Sequence, residues 1–216
     1  MKLYVYDHCP FCVRARMIFG LKNLPFEKIV LANDDEKTPI DLVGKKVVPI
    51  LIKEDSTAMP ESLDIVAYVD ASNSEKVLSD GEIRSALQDW MQQVGAYYNH
   101  LLSPRFVKLG LAEFKQQSAV DYFVSKKTEY VGDFAQNIAN SGQYITKINA
   151  DLCDLEALIV SDNAVSGQLS LEDICLFPML RNLTCVKGVQ FPAKVLGYLE
   201  KMAQLSQIDL FTDRAI

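Results

Sequence analysis

The sequence predicts an α/β domain followed by a larger all-helical domain. Strand and helix patterns alternate over the first 71 residues. A stretch of small polar residues without hydrophobic periodicity comes next, and only helical periodicity recurs beyond it, up to residue 216. We therefore divide the chain into an α/β domain at residues 1–71, a linker at 72–82 and an all-α C-terminal domain at 83–216.

The elements of the first domain follow from hydrophobic patterns and turn residues. β-Branched and aromatic residues predict strands, Gly44 ends a helix and Ser62 opens one. The expected elements, in order, are strand Lys2–Tyr6, helix Val13–Leu21, strand Phe26–Leu31, helix Thr38–Val43, strands Val47–Ile52 and Thr57–Met59, and helix Ser62–Asp70. This βαβαββα order is that of the thioredoxin fold, so we expect a thioredoxin-like sheet covered on both faces.

The second domain shows only helical signals. Ser79 and Glu82 have the spacing of a capping box before the first of them. Buried stripes with a three-to-four-residue spacing start with Ile83, Leu87, Trp90, Met91 and Val94. Similar periodicity predicts helices in Val120–Ile138, Tyr144–Ile159, Leu171–Val186 and Ala193–Leu205.

A sharper helix start lies at Ser170. Its hydroxyl precedes the carboxylate of Asp173 by three residues, and Leu169 and Ile174 have the spacing of a hydrophobic staple. We interpret this motif as a folding signal and assign it no chemistry.

Charge and composition exclude several functions. A net charge of −6 and a pI near 5.0 argue against binding to nucleic acid. No apolar run approaches the length of a membrane span, and an acidic residue interrupts the N-terminus before a signal peptide could form, so we expect a cytoplasmic protein. Thiols stay reduced there, so the five cysteines are expected to be free or catalytic.

The motif Cys9-Pro10-Phe11-Cys12 carries the chemistry. The first thiol stands at a helix start, where unpaired backbone N–H groups and the helix dipole favour a thiolate. Proline is tolerated at the first helical position because its N–H would be unpaired there anyway. Cys12, one turn further, is placed to attack a mixed disulfide on Cys9, so the motif predicts a redox-active centre.

Two other interpretations of this motif are weaker. A structural disulfide closing so short a loop would constrain the unfolded chain little. A zinc site needs about four ligands, and the remaining candidates form no second pair, so no metal is expected. Those candidates are His8, His100, Cys153, Cys175 and Cys185.

Three motifs together carry a family resemblance: Cys9–Cys12, Val48-Pro49 before a strand, and Pro60-Glu61-Ser62 before a helix. With the linker and the helical second half, the whole chain resembles the large two-domain bacterial glutaredoxins, which have a glutathione transferase-like architecture. The resemblance implies a glutathione-dependent thiol–disulfide oxidoreductase that works in electron transport. It deglutathionylates proteins and reduces their disulfides, as a monomer, with glutathione as co-substrate and no resident cofactor.

The resemblance also implies a glutathione site. Val48 would pair through its backbone with the cysteinyl part of glutathione, next to a cis peptide bond at Pro49. Glu61 would meet the γ-glutamyl ammonium and Ser62 the γ-glutamyl carboxylate at a helix N-terminus. Without the motif at Cys9, Ser62 would be only an N-cap and Glu61 only an acidic residue of a helix start.

The chain departs from many small glutaredoxins at Tyr6, where they carry Lys or Arg. A positive charge for the Cys9 thiolate must then come from Arg14, Arg16 or protonated His8. A solvated helix face explains both arginines equally well.

Other residues near the motif invite catalytic roles, and we expect simpler ones. His8 is interpreted as a modulating surface residue and not as a base, since a thiolate at a helix start needs none. Tyr4 and Tyr6 alternate on a strand and are expected to pack in the sheet. Cys153, Cys175 and Cys185 are expected to be buried small hydrophobes.

Two other functions remain open at this point. A cysteine-type glutathione transferase or dehydroascorbate reductase would share Cys9, but such enzymes often lack a second cysteine. A non-catalytic interaction module would have no need of an intact Cys9–Cys12 pair.

Overall fold

The structure is a computed structural model that describes residues 1–72 and 75–216. Asn73 and Ser74, within the expected linker, lie outside the described residues. Among the described residues, no helix has the length and apolarity needed to cross a bilayer.

A four-stranded sheet with helices on its faces forms the N-terminal domain. Its elements are β1 (Lys2–Val5), α1 (Pro10–Leu21), β2 (Glu27–Val30), α2 (Lys37–Val43), β3 (Ile50–Ile52), β4 (Ala58–Pro60) and α3 (Ser62–Asp70). The strand order is β2-β1-β3-β4, with β1 parallel to β2 and the other pairs antiparallel. The thioredoxin-like fold and its element order are therefore confirmed.

Several predicted boundaries were wrong. Helix α1 begins at Pro10, as expected for a proline at the first helical position, and not at Val13, where the hydrophobic pattern begins. Strand β3 begins only at Ile50, since Pro49 has no N–H to donate to the ladder. Gly44 does end α2, in a left-handed conformation with φ of 77°.

The helical domain contains α4 (Ser85–Gly95), α5 (Asn99–Phe106), α6 (Gln117–Val131), α7 (Phe134–Ala139), α8 (Ser141–Glu156), α9 (Leu171–Leu183) and α10 (Ala193–Ser206), with short 3-10 helices at Ala112–Phe114 and Thr212–Arg214. The sequence did not predict α5. The predicted helix at Val120–Ile138 is two helices, because Gly132 takes a φ of 76° between them.

The two expected capping boxes had different outcomes. At α9 the box is confirmed: the Ser170 hydroxyl accepts from Glu172 N, and the Asp173 carboxylate accepts from Ser170 N at 2.9 Å. The box at Ser79 and Glu82 was wrong, since α4 starts only at Ser85. Ser79 instead donates its backbone N–H to Leu169 O at 2.7 Å, which ties the start of the helical domain to the segment before α9.

Helix α1 lies at the boundary between the domains. It packs on α3 of the first domain and on α9 and α10 of the second. Gly20 is the point of closest approach: a Cβ built there would lie 1.9 Å from Ser206 O at the end of α10. Only glycine allows this backbone contact between the domains.

Gly20→Ala is expected to destabilise the protein by about 2 kcal/mol or more, because a backbone carbonyl must shift to admit the methyl group. The matched control is Gly142→Ala in α8, where an added Cβ meets nothing within 4 Å. That change should be neutral or stabilising by up to about 1 kcal/mol, the helix preference of alanine over glycine. Urea unfolding measures both variants, and equal stability of the two would contradict the close packing at Gly20.

Candidate active site

Cys9 and Cys12 lie at the start of α1, directly after the loop that leaves β1. Cys9 is the N-cap residue and Pro10 the first helical residue. The carbonyl of Cys9 accepts the first helical bond, from Val13 N at 3.0 Å. Cys9 is partly exposed, whereas Cys12 is fully buried. An incoming disulfide therefore reaches the Cys9 sulfur and not that of Cys12.

The two thiols have opposite pKa shifts. The pKa of Cys9 is lowered to about 6, chiefly because the Cys12 thiol donates a hydrogen bond to it. Burial opposes this shift, while the charge of His8 and backbone N–H groups of Cys12 and Phe11 support it. Burial, followed by the neighbouring Cys9, raises the pKa of Cys12 well above its usual value. At neutral pH Cys9 is the thiolate and Cys12 keeps its proton.

The position of Cys9 at a helix start thus explains only part of its pKa shift. Backbone N–H groups contribute, as the sequence indicated, but the thiol of Cys12 contributes more. The backbone N–H of Tyr6 also contacts the pair, since it donates to Cys12 Sγ at 3.4 Å. The Tyr6 side chain is buried, as expected for a packing residue, and burial raises its pKa.

The interpretation of His8 as a surface residue was wrong. Its side chain is buried, and its Nδ1 lies 2.7 Å from Glu113 Oε1. The same oxygen accepts from the backbone N–H of His8 at 3.0 Å. Glu113 belongs to the helical domain, so a sequence reading of the N-terminal motif could not anticipate its carboxylate.

Arg181 and Asn182, from α9, hold the chain just before Cys9. Asn182 Nδ2 donates to His8 O at 2.9 Å, and Arg181 Nη1 donates to Asp7 O at 2.8 Å. These two contacts hold the backbone of both residues that precede Cys9.

The Asp7 carboxylate bridges the two domains. It accepts from Arg181 at 3.3 Å and from Arg16 at 2.5 Å. Arg16 is therefore buried in an ion pair and does not form the solvated helix face expected for it. Arg16 thus pairs with Asp7 and not with the Cys9 sulfur. Arg14 instead stacks its guanidinium over the exposed Phe11 ring, at 4.8 Å from the centroid.

A cleft of about 1070 Å³ opens at Cys9 between the two domains. The motif residues and Val48 line one side, and side chains of α4, α5, α6 and α9 line the other. Its apolar wall includes Met91, Tyr98, Phe123 and Met179. A cleft of this volume has room for a peptide-sized disulfide substrate.

The other residues of the expected glutathione site gather at one end of the β3–β4 hairpin. The Val48–Pro49 peptide bond is cis. Ile50 pairs with Pro60, so the chain before Ile50 and the chain after Pro60 leave the hairpin side by side. Glu61 and Ser62 follow there, at the start of α3, outside the lining of the cleft itself.

Glu61 has an unusual backbone conformation, with φ of 71°. A positive φ is uncommon for a residue other than glycine and is often found at ligand sites. Its carboxylate is exposed and accepts from Lys45 Nζ at 2.9 Å, so a cation already interacts with it at this place. Glu61 and not Ser62 is the N-cap of α3, and its side chain makes no cap bond; Ser62 is buried at the first helical position.

The three other cysteines differ in their burial. Cys175 and Cys185 are buried, as expected, but Cys153 is exposed. Cys175 lines the cleft, and burial raises its pKa. Within residues 1–72 and 75–216, no group of three or more His, Cys, Asp or Glu side chains has the arrangement of a metal site.

Sequence reasoning missed Glu113, Arg181 and Asn182. Glu113 lies 105 residues from His8, and nothing in its neighbourhood marks it. Arg181 and Asn182 did carry a signal: they interrupt the apolar pattern of α9, yet both are 1% exposed. Polar residues inside an apolar helix need buried partners, and here the partners are Asp7 and His8.

Comparison with known proteins places the whole chain among related sequences. Residues 86–215 match the family "Glutaredoxin 2, C terminal domain", and residues 3–76 match "Glutathione S-transferase, N-terminal domain". Glutaredoxin 2 of Escherichia coli K12 is 51% identical over 216 residues, which is 100% of both chains.

Solved structures show the same relation. The crystal structure of glutaredoxin 2 from Salmonella typhimurium in complex with glutathione is 51% identical, with a TM-score of 0.97 over 100% of this chain and 98% of that one. Glutathione transferase Omega 3C from Trametes versicolor is 19% identical, with a TM-score of 0.53 over 96% of this chain and 89% of that one. The latter likeness shows the shared fold alone.

Proposed function

The chain belongs to the glutaredoxin 2 family, and from this premise we propose that Cys9 and Cys12 reduce disulfides at the expense of glutathione. The observation that carries the proposal is the split between the two thiols. A partly exposed thiolate faces a cleft, and a protonated thiol lies one helical turn behind it. This is the arrangement that a nucleophile and an internal resolving thiol require.

Deglutathionylation needs only Cys9. Its thiolate attacks the glutathione sulfur of a mixed disulfide, and the substrate leaves as a thiolate that takes a proton from water. A second glutathione, as thiolate, then attacks the glutathione sulfur bound to Cys9. The products are glutathione disulfide and the regenerated Cys9 thiolate.

Reduction of a protein disulfide uses both cysteines. Cys9 attacks one substrate sulfur, and the other sulfur leaves. Forming this mixed disulfide removes the negative charge of Cys9, one of the factors that keep Cys12 protonated. Cys12 then loses its proton and attacks the Cys9 sulfur, which releases the second substrate thiolate and leaves a Cys9–Cys12 disulfide. Two glutathione molecules reduce that disulfide.

We place glutathione between Cys9 and the end of the β3–β4 hairpin. The Salmonella typhimurium relative was solved in complex with glutathione, which supports the same ligand here. Val48, which lines the cleft and precedes the cis peptide bond at Pro49, would offer its backbone to the cysteinyl part. The amide groups and hydroxyl at the start of α3 suit the γ-glutamyl carboxylate, and Glu61 suits the ammonium.

The setting proposed for this activity is the cytoplasm. All five cysteines are unpaired in the structure, as suits a compartment in which glutathione keeps thiols reduced. The partners are glutathione and proteins that carry glutathionylated or disulfide-bonded cysteines. One chain supplies both walls of the cleft, so we propose that a monomer is active. We also retain the division at residues 71 and 83 as the proposed domain boundaries.

Replacement of each cysteine by serine tests the two routes separately. Cys9→Ser is expected to abolish all thiol–disulfide activity, since every route begins at its sulfur. Cys12→Ser should retain deglutathionylation within about tenfold and lose most reduction of protein disulfides. The assay couples turnover to glutathione reductase, first with a small glutathione mixed disulfide and then with a disulfide-bonded protein.

Circular dichroism and thermal unfolding confirm that both variants fold. Cys153→Ser is the matched control, since it removes an exposed thiol outside the cleft and should leave both rates unchanged. If folded Cys12→Ser were as inactive as Cys9→Ser toward the small mixed disulfide, the route through Cys9 alone would be excluded.

Charge reversal tests the proposed glutathione contact of Glu61. Glu61→Lys should weaken glutathione binding by about tenfold or more, because an attraction to the ammonium becomes a repulsion. The control is Glu54→Lys in the turn at the opposite end of the hairpin, which should not change the affinity. Calorimetric titration with glutathione measures both, and equal affinities would reduce Glu61 and Ser62 to ordinary helix-start residues.

A further inference from the structure

The buried pair of His8 and Glu113 has no part in the steps above. Glu113 lies in the 3-10 helix at Ala112–Phe114 and is 0% exposed, and His8 is 7% exposed. One carboxylate oxygen, Oε1, accepts from both the backbone N–H and the ring Nδ1 of His8. A charged group of the helical domain thus contacts the residue that immediately precedes the nucleophile.

Aromatic rings and one carboxylate surround the His8 ring. Four aromatic rings enclose it, and two of them, Tyr6 and Phe114, stack on it. They belong to Tyr6, Phe106, Phe114 and Phe123, with centroids 5.7, 5.0, 5.1 and 5.2 Å from that of His8. The carboxylate of Glu113 adds an opposite charge at hydrogen-bond distance.

Burying the Glu113 carboxylate costs free energy. Its second oxygen, Oε2, is buried and finds no hydrogen-bond donor among the described residues. Burial alone raises the pKa of Glu113, but the hydrogen bonds and charge of His8 hold it below its usual value. An apolar residue would fill this space without an open acceptor, so the contact is best explained by the charge that Glu113 supplies.

We propose that Glu113 is a positioning residue that holds protonated His8 beside Cys9 and so stabilises the Cys9 thiolate. The inference rests on the proposed function, in which that thiolate is the nucleophile. In this arrangement His8 supplies the positive charge that the chain lacks at Tyr6 and that neither Arg14 nor Arg16 provides. Asn182 completes the arrangement, because it holds the carbonyl of His8 from the same domain.

The charged and titratable groups around His8 are few. Cys9 and Cys12 follow it in the chain, and Tyr6 stacks on it from β1. Glu113 faces it from the 3-10 helix. Helix α6 adds Lys127, whose Nζ lies 5.8 Å from the Phe123 ring centroid on the cleft side. From α9, Asn182 is neutral and the charge of Arg181 is directed to Asp7.

The test measures the rate of iodoacetamide alkylation of Cys9 against pH, in the reduced full-length protein, by mass spectrometry of the peptide that contains Cys9. The wild-type rate is expected to rise with a midpoint at about 6. Glu113→Gln keeps the shape and an acceptor oxygen but removes the charge. Its midpoint should rise by about one pH unit, a roughly tenfold loss of thiolate at low pH.

The matched control is Asp151→Asn in α8. Asp151 is also a buried carboxylate, 5% exposed and bonded to Tyr97, Gln93 and Lys147, but it does not contact His8. Its neutralisation should leave the Cys9 midpoint unchanged. A shift equal to that of Glu113→Gln would mean that loss of any buried charge acts on Cys9 through stability, and would overturn the proposal.

His8→Gln and the double variant complete a cycle. If Glu113 acts through His8, the midpoint of the double variant equals that of His8→Gln alone. An undiminished effect of Glu113→Gln in the His8→Gln background would overturn the proposal, as would an unchanged midpoint in folded Glu113→Gln. If Glu113→Gln does not fold, the His8→Gln variant alone tests the proposal. An unchanged Cys9 midpoint in His8→Gln would show that the charge of His8 does not stabilise the thiolate.

Alkylation requires no glutathione, so this test and that of the proposed function fail separately. A wild-type protein that turns over a glutathione mixed disulfide, with no shift in Glu113→Gln, would retain the function and lose the inference. A wild-type protein that shows the shift without any turnover would lose the function and keep the electrostatic role of Glu113.

Discussion

The chemistry of this protein depends on how the helical domain holds the two residues before Cys9. Arg181 and Asn182 bind the carbonyls of Asp7 and His8, and Glu113 binds the backbone N–H of His8. Arg181 is almost completely buried, and burial lowers its pKa to about 10 against the opposing effect of Asp7. A buried guanidinium is costly unless it is well paired, so the domains are held in one relative arrangement. Both domains therefore position Cys9, although the motif belongs to the first.

The different behaviour of Cys9 and Cys12 follows from their places in one helical turn. Cys9 caps the helix at the mouth of the cleft, whereas Cys12 points into the core of the α/β domain and has no exposed surface. The same hydrogen bond lowers the pKa of Cys9 and raises that of Cys12. This contact and the deeper burial of Cys12 together favour a thiolate at Cys9 and a protonated thiol at Cys12.

Much of the fold was predictable, because strand patterns, Gly44, Ser62 and the Ser170 capping box are local signals. The motif at Cys9 is likewise a local signal, and its assignment as the reactive pair remains a prediction. The environment of His8 was not predictable, since its partner Glu113 comes from the helical domain. Arg16 pairs with Asp7 of its own domain, and only the contact of Arg181 with that carboxylate depends on how the domains pack. The pattern at Ser79 and Glu82 failed for the opposite reason: capping-box spacing is common, and here tertiary contacts with Leu169 take precedence over a local helix start.

The central claim is that position and charge, and not exposure, make Cys9 the reactive thiol. The most direct measurement mixes reduced Cys12→Ser protein with glutathione disulfide at pH 6 and follows adduct formation at each cysteine by mass spectrometry. Cys153 is the more exposed thiol and serves as the internal reference. The account predicts that the glutathione adduct forms on Cys9 at least about tenfold faster than on Cys153, since the serine hydroxyl at position 12 can still donate a hydrogen bond to Cys9, and the backbone N–H groups and His8 remain beside it. Equal rates at the two sites, or a faster reaction at Cys153, would contradict it.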